Sequence, residues 1–298
     1  LKPLIKEYNR KSKLGPLTFF EVYTALAFLY FKNNSIDFAV LETGLGGRLD
    51  ATNAVDSELC VITPISYEHT DKLGKTLKRI AYEKAGIIKK NGAIVVIAPQ
   101  EEEALSALRL RCGKFNAKLF EVKKIQKFKT RLIGEHQLVN AAVAVKAVLS
   151  LKINPGIEVI KKGLYNTSWP GRCEIINKNP FIVIDGAQNV ASIKALTKAI
   201  RDNFNYDKII LIIGLSSDKD IAGISRIIRG FANNFIITKA KSKRAMDTRI
   251  IAGYLRDKNY CITESVREAK EKAMRLAGKN DLILVTGSLF VVGEFRGI

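Results

Sequence analysis

The stretch LETGLGGRLDATNAV, Leu41 to Val55, begins where an apolar run, Phe38 to Leu41, ends. Such a run predicts a buried parallel strand carrying Glu42 to its carboxyl end, the edge at which open α/β sheets place their ligands. Glycines at 44, 46 and 47 then let the backbone turn tightly and approach a bound molecule. Arg48 and Asp50 set opposite charges beside that turn. A second apolar run, Leu59 to Ile62, ends shortly before Glu68, His69 and Asp71, and Lys84 follows on a predicted helix. Glu42, His69 and Lys84 are therefore expected at one sheet edge.

Outward from this stretch, Phe19 to Phe31 has a helical apolar pattern. Strands are expected at 59–63 and 93–98, with a helix over 75–88. The acidic run Glu101 to Glu103 suits the positive end of a following helix. Strand-like chain is expected over 118–132, and a helix from about His136. Periodicity breaks at Trp169-Pro170-Gly171-Arg172, a turn or linker. Beyond it, predicted strands at 181–184, 208–213, 235–238, 260–263 and 281–285 alternate with helices, the pattern of a parallel sheet wound on both faces. The chain is accordingly divided into 1–168 and 172–298.

With 298 residues and 47% hydrophobic content, the chain is long enough for one or two ordinary cores. Its four cysteines are scattered, without a C-x-x-C pair, and read as reduced residues of a cytoplasmic protein. No apolar run approaches the ~18–20 residues of a membrane span. The net charge of +20 is spread along the chain and accompanied by no nucleic-acid motif, so it reads as a lysine-rich solvated surface. A field of that sign also favours approach of anionic substrates. No membrane, no dedicated nucleic-acid binding and a monomer are the expectations.

The blocks LTFFEVYTALAFLYF (17–31), GLGGRLDATN (44–53), ITPISYEHTDKLG (62–74), EKAGII (83–88), GEHQLVNAA (134–142), WPGRCE (169–174), DGAQN (185–189) and GSLFVVGEF (287–295) occur in this order. Together they resemble folylpolyglutamate synthase, including its bifunctional dihydrofolate synthase form, in the Mur ligase superfamily. The resemblance implies an α/β fold, a Mur-ligase-type ATP-binding domain followed by a Rossmann-like glutamate-ligase domain. It implies ATP-dependent addition of L-glutamate to a folate, or to dihydropteroate, through an acyl phosphate. No segment matches the phosphate-cradling G-x-x-x-x-G-K-[ST] loop expected of that superfamily. The first domain is thus expected to be incomplete at its N-terminus, and the chain as given inactive by itself.

Site residues follow from the same resemblance. Glu42 and His69 resemble magnesium ligands, for a pair of Mg2+ ions, and Lys84 matches a lysine that the family carbamylates to hold the second ion. For Glu42 a helix cap or an ion pair with Arg48 is the plainer role, and for Lys84 a solvated charge. Glu68 stands where the family has aspartate. Asn140 resembles an ATP-contacting asparagine, and Arg172 an arginine reaching the nucleotide phosphates, for which a guanidinium is well shaped. Asp185 and Gln188 fall in the block that binds ATP from the second domain. There Gln188 replaces a histidine and Val190 a proline. Thr18, Phe19, Phe20, Glu21, Leu49, Asp50 and Ala51 are implied on the pterin side, with Phe19 and Phe20 as core residues the alternative. Asp218-Lys219-Asp220 matches a further block without an assigned role. Three other readings remain at this point: another Mur-type amino-acid ligase, a degenerate nucleotide- or folate-binding protein without catalysis, and a basic nucleic-acid-binding protein.

Overall fold

The computed structural model describes residues 1–123, 128–151, 153 and 155–297. It resolves into two compact units, Leu1–Lys123 with Lys146–Ile153, and Lys124–Val145 with Asn154–Ile298. This grouping does not coincide with the division near 170. The start of the GEHQ helix belongs with the second unit, where Glu135 pairs with Lys198 and Ile133 packs on that unit's core.

In the first unit, helices α1 (Lys2–Lys11) and α2 (Phe19–Asn33) precede a 3-10 turn at Ala51–Ala54. Strand β1 (Leu59–Ile62), helices α3 (Thr70–Leu73) and α4 (Leu77–Ala85), β2 (Ile94–Ile97), α5 (Glu102–Lys114) and β3 (Lys118–Glu121) follow. The three strands form a parallel sheet in the order β1-β2-β3. Its core sets Cys60, Ile62, Val95 and Ile97 against Leu77, Ile80, Ala81 and Ala85 of α4 and Ala104 and Leu108 of α5. Burial pushes the Cys60 and Cys112 thiols up to about 11, which keeps them protonated and inert.

The strand expected over Phe38 to Leu41 does not form. Val40 is 96% exposed and Phe38 63%, and the first strand of this sheet is β1. An all-apolar run becomes a buried strand only when neighbours take its backbone groups on both sides and cover both faces. Among the described residues none does so here. Helix α2 is in the same situation: Thr24 alone of its residues is buried. Of the strand-like chain expected over 118–132, β3 forms, 124–127 lie outside the described residues, and 128–132 is not strand.

Helix α6 (Glu135–Ser150) begins in the second unit. There follow α7 (Ile157–Asn166), β4 (Glu174–Lys178), β5 (Phe181–Ile184), α8 (Val190–Asn203), β6 (Ile209–Ile213) and α9 (Ile221–Ile228). The chain ends with β7 (Asn234–Ile237), α10 (Thr248–Gly253), β8 (Tyr260–Ile262), α11 (Val266–Leu276), β9 (Leu282–Thr286) and α12 (Leu289–Arg296). Six strands lie in the order β4-β5-β9-β6-β7-β8, parallel except for the edge strand β4. The alternation of side chains sends Ile209, Leu211 and Ile213 of β6 into one core and Ile210 and Ile212 into the other. This is the doubly wound, Rossmann-like sheet expected from the alternating pattern. Strands β5, β6 and β9 bring Asp185, Gly214 and Gly287 to its carboxyl edge.

No helix among the described residues is long and apolar enough to cross a membrane. At Gly214 a Cβ would lie 2.6 Å from the Thr238 carbonyl oxygen and 2.9 Å from Val291. Because the nearer atom is backbone, Gly214→Ala should cost about 1–3 kcal/mol, read as a lower urea midpoint at unchanged slope. An unshifted midpoint would show that the two strand ends have room to part.

Candidate active site

In the first unit the turn after Glu42 is built around Asp50. Its Oδ2 accepts the backbone N–H groups of Gly44 (2.9 Å) and Leu45 (2.8 Å). Its Oδ1 accepts from the backbone N–H (3.0 Å) and hydroxyl (2.6 Å) of Thr52, capping the 51–54 turn. The glycines leave donors with no ladder partner, and one carboxylate gathers them. Asp50 thus organises the loop; it is not a free carboxylate presented to a ligand.

Arg48 locks this loop to the last turn of α4. Its Nε donates to both Glu83 oxygens (3.2 and 3.0 Å), its NH2 donates to one, and its backbone N–H donates to the Glu83 carbonyl at 2.8 Å. The ion pair with Arg48, one of the plainer roles open to Glu42, is therefore not formed, since Arg48 pairs with Glu83. Gly86 lets the Arg48 backbone lie against the helix end, since a Cβ there would collide with Arg48 Cα and Cβ. Asn53 Nδ2 donates to the carbonyls of both Arg48 and Gly86 at 3.2 Å. Lys84 lies in this last helical turn, next to Glu83.

Glu42 is exposed on unpaired chain and has no hydrogen-bond or ion-pair partner among the described residues. His69 takes a left-handed conformation (φ 49°, ψ 42°) at the start of α3, its Nε2 3.8 Å from Glu68 Oε1. The amine of Lys84 likewise has no partner among the described residues. No group of three His, Cys, Asp or Glu side chains converges among the described residues. Glu42 and His69 are therefore joined by no third histidine, cysteine or carboxylate side chain among the described residues. The donor set still fits magnesium brought with a nucleotide, because this ion keeps several waters and takes one or two protein carboxylates together with phosphate oxygens.

The residues expected on the pterin side divide. Thr18 and Glu21 bind one another. Glu21 accepts from the Thr18 N–H and hydroxyl, both at 2.7 Å, and Thr18 Oγ1 accepts the Glu21 N–H at 3.3 Å. This capping box starts α2, and the hydrogen bonds from Thr18 hold the Glu21 carboxyl below its ordinary range. The T-x-x-E spacing before an apolar run announces it. Phe19 is 74% exposed and stacks on Tyr23 at 4.2 Å between centroids, so neither it nor the half-exposed Phe20 is a core residue. Phe20 leans on Gly44, where a Cβ would sit 2.7 Å from its ring, so these two blocks meet. Leu49 is exposed and Ala51 opens the 3-10 turn.

In the second unit Asp185 ends β5, 8% exposed. Its two oxygens accept the N–H groups of Cys173 and Ala187, each at 2.8 Å. Burial raises its pKa, against these two hydrogen bonds and the charges of Arg172 and His136. Arg172 is exposed and its guanidinium lies along Gly186, where a Cβ would be 3.0 Å from NH1. Gln188 donates its backbone N–H to Ser192 Oγ (3.1 Å), just ahead of the Asn189–Ser192 capping box of α8. Asn140 is exposed on α6, and its Nδ2 donates to Gln137 Oε1 at 3.0 Å. Asn140, Arg172, Asp185 and Gln188 all belong to this unit. Asp218 pairs with Lys219 and Arg244, and Asp220 caps α9. Sequence reasoning missed Glu83, which meets Arg48 only on folding, and Gln137, whose partners lie one and three positions away on its own helix.

Residues 171–289 match the Mur ligase glutamate ligase domain. Over 99% of its length the chain is 31% identical to the dihydrofolate synthase/folylpolyglutamate synthase of Bacillus subtilis, of which it spans 75%. Folylpolyglutamate synthase of Mycobacterium tuberculosis complexed with ADP superposes with a TM-score of 0.93 at 27% identity, covering 99% of this chain and 75% of that one. The bifunctional folylpolyglutamate synthase/dihydrofolate synthase of Yersinia pestis, complexed with AMPPNP and a Mn ion, gives 0.84 at 26% identity, covering 94% and 71%.

Replacing Asp50 by Ala removes the acceptor of four hydrogen bonds and should destabilise the protein by about 1–2 kcal/mol, the scale of a lost cap. Asp50→Asn keeps one acceptor oxygen and should lose less. Equal denaturation midpoints for wild type and Asp50→Ala would refute the organising role.

Proposed function

The chain belongs to the dihydrofolate synthase/folylpolyglutamate synthase family, and from that premise we propose that the protein joins L-glutamate to the carboxylate of a folate, using ATP. The single observation that carries this reading is 31% identity to the Bacillus subtilis synthase along 99% of the chain. A carboxylate is a poor electrophile. In the proposed reaction a carboxylate oxygen attacks the γ-phosphorus of ATP and ADP leaves. The glutamate amine then attacks the acyl carbon, loses a proton, and displaces phosphate. Dihydropteroate is the second acceptor, in keeping with the dual name of that relative.

Each unit supplies part of the machinery. In the second, Asn140 reads the adenine and Arg172 binds phosphate oxygens with its planar fork. Asp185 holds the turn that carries Gln188, and each of its oxygens keeps a lone pair beyond the backbone bond it accepts. In the first, Phe19, Phe20 and Leu49 offer exposed apolar surface to a flat pterin, with Thr18, Glu21, Asp50 and Ala51 fixing the backbone around them. Glu42, with His69 and a carbamylated Lys84, would hold magnesium. Bound there, the ions would neutralise charge developing on the transferred phosphoryl group. Carbamylation joins the neutral Lys84 amine to carbon dioxide with loss of a proton, turning a cation into a carboxylate-like ligand. The Lys84 amine and Glu42 carboxylate, each without a partner among the described residues, support these assignments.

The direct test is incorporation of labelled L-glutamate by the whole protein with ATP and magnesium. Tetrahydrofolate and dihydropteroate are offered in turn. Product with neither would reject the reading.

Glu42→Ala should lower turnover at least ~10²-fold, the usual scale for loss of an electrostatic anchor. Wild-type turnover at limiting magnesium would remove Glu42 from the site.

Lys84→Ala should lose activity, with partial recovery in acetate, whose carboxylate can occupy the vacated position. Crystallographic density for a bare ammonium in fully active enzyme, grown with bicarbonate, would defeat carbamylation.

A further inference from the structure

Asn140 ends a hydrogen-bond chain that begins in the interior of the second unit. Gln137 is 7% exposed and bonded at both ends of its amide: Oε1 accepts from Asn140 Nδ2 at 3.0 Å, and Nε2 faces His136 Nε2 at 3.1 Å. With Oε1 committed to Asn140, Gln137 can only donate toward the imidazole. His136 Nε2 must therefore accept, which places its proton on Nδ1 and leaves the ring neutral. A second feature holds the ring in place. It lies over Gly134 (φ 114°), where a Cβ would come within 2.6 Å of Cε1 and 2.7 Å of Nδ1. Burial lowers the His136 pKa, Asp185 raises it and Arg172 lowers it, while neighbouring Glu135 is paired with Lys198.

We propose that His136, acting through Gln137, fixes the amide of Asn140 and so sets a preference for adenine over 6-oxopurine nucleotides. This rests on the reading of Asn140 as the adenine contact. With one Nδ2 hydrogen held by Gln137, Asn140 presents one N–H and the Oδ1 acceptor. Adenine offers the complement, an N7 acceptor beside the N6 amino donor, whereas guanine and hypoxanthine offer two acceptors, N7 and O6. Reversal of the chain would turn Oδ1 inward and leave two donors outward, the pattern a 6-oxopurine needs. His136 is thus a positioning residue for specificity; it touches neither base nor phosphate.

The test is calorimetric binding of ADP and IDP to the whole protein and its variants. His136→Phe keeps a ring over Gly134 but removes the acceptor, freeing Gln137 to turn. The ADP-over-IDP preference should fall about tenfold, the scale of one hydrogen bond of discrimination, through weaker ADP and unchanged or tighter IDP binding. Gln137→Glu should retain the preference, because a carboxylate accepts from Asn140 whatever His136 does. The double variant His136→Phe/Gln137→Glu should regain it, which a merely structural role of His136 does not predict. In the wild type the preference should hold at neutral pH. It should decline only below the ordinary imidazole value of about 6.5, where Nε2 gains a proton and becomes a donor. An ADP/IDP ratio unchanged in His136→Phe and across that pH range, or equal losses for both nucleotides, would overturn the proposal. The underlying reading fails separately, if Asn140→Ala binds ADP as wild type does.

Discussion

Strand β6 is paired along its length with β9 on one side and β7 on the other, and this pairing permits five consecutive apolar residues to be wholly buried. Without it the buried amides would face no water and no partner, at a cost of several kcal/mol each. With it, alternation divides the side chains between two cores that helices close from either face. The direction of the sheet then decides where the chain must emerge. Asp185 after β5, Gly214 after β6 and Gly287 after β9 reach one edge because the strands that carry them are parallel. Gly287 (φ 101°) and Gly214 pack so closely that a Cβ on Gly287 would lie 2.6 Å from the Gly214 carbonyl. The edge is a consequence of strand pairing, and the residues displayed on it inherit their positions.

The same requirement explains what the sequence made legible and what it did not. The strands expected at 208–213 and 281–285 form as Ile209–Ile213 and Leu282–Thr286, since each has neighbours to complete its ladder. Phe38 to Leu41 has the same apolar character and no such neighbour among the described residues, so it remains exposed. Hydrophobicity reports what a segment would bury, and only pairing reports whether it does. Strand β4 escaped notice for the converse reason. Glu174–Lys178 is an edge strand with exposed Ile175 and Ile176, and its sequence carries neither an apolar run nor a strict alternation.

Within the candidate site, several residues that the resemblance places beside ligands have partners within the protein. Thr18, Glu21, Asp50 and Asp185 are each bonded to protein groups in turns or caps. Turns rich in glycine and helix starts leave backbone N–H groups without a ladder, and a short acidic or hydroxyl side chain nearby is their cheapest acceptor. The Thr18–Glu21 box follows from local spacing and was available to the reader of the sequence. The Arg48–Glu83 clamp was not, because its partners lie 35 positions apart and meet only when the loop closes on α4.

Satisfied and unsatisfied groups are therefore arranged in a consistent way. Asp50 and Arg48 bind the backbone and side chains that shape the loop, and Gly86 admits the close approach. Beside them Glu42 and Lys84 keep side chains without partners among the described residues. A group already bonded within the protein must give up that bond to hold a ligand, whereas an unpartnered one exchanges only water. The loop thus owes its shape to one set of residues and its capacity to bind to another. Substitutions in the first set act on stability before they act on turnover. Substitutions in the second leave the fold nearly untouched, so their effects on the reaction can be read without correction for unfolding.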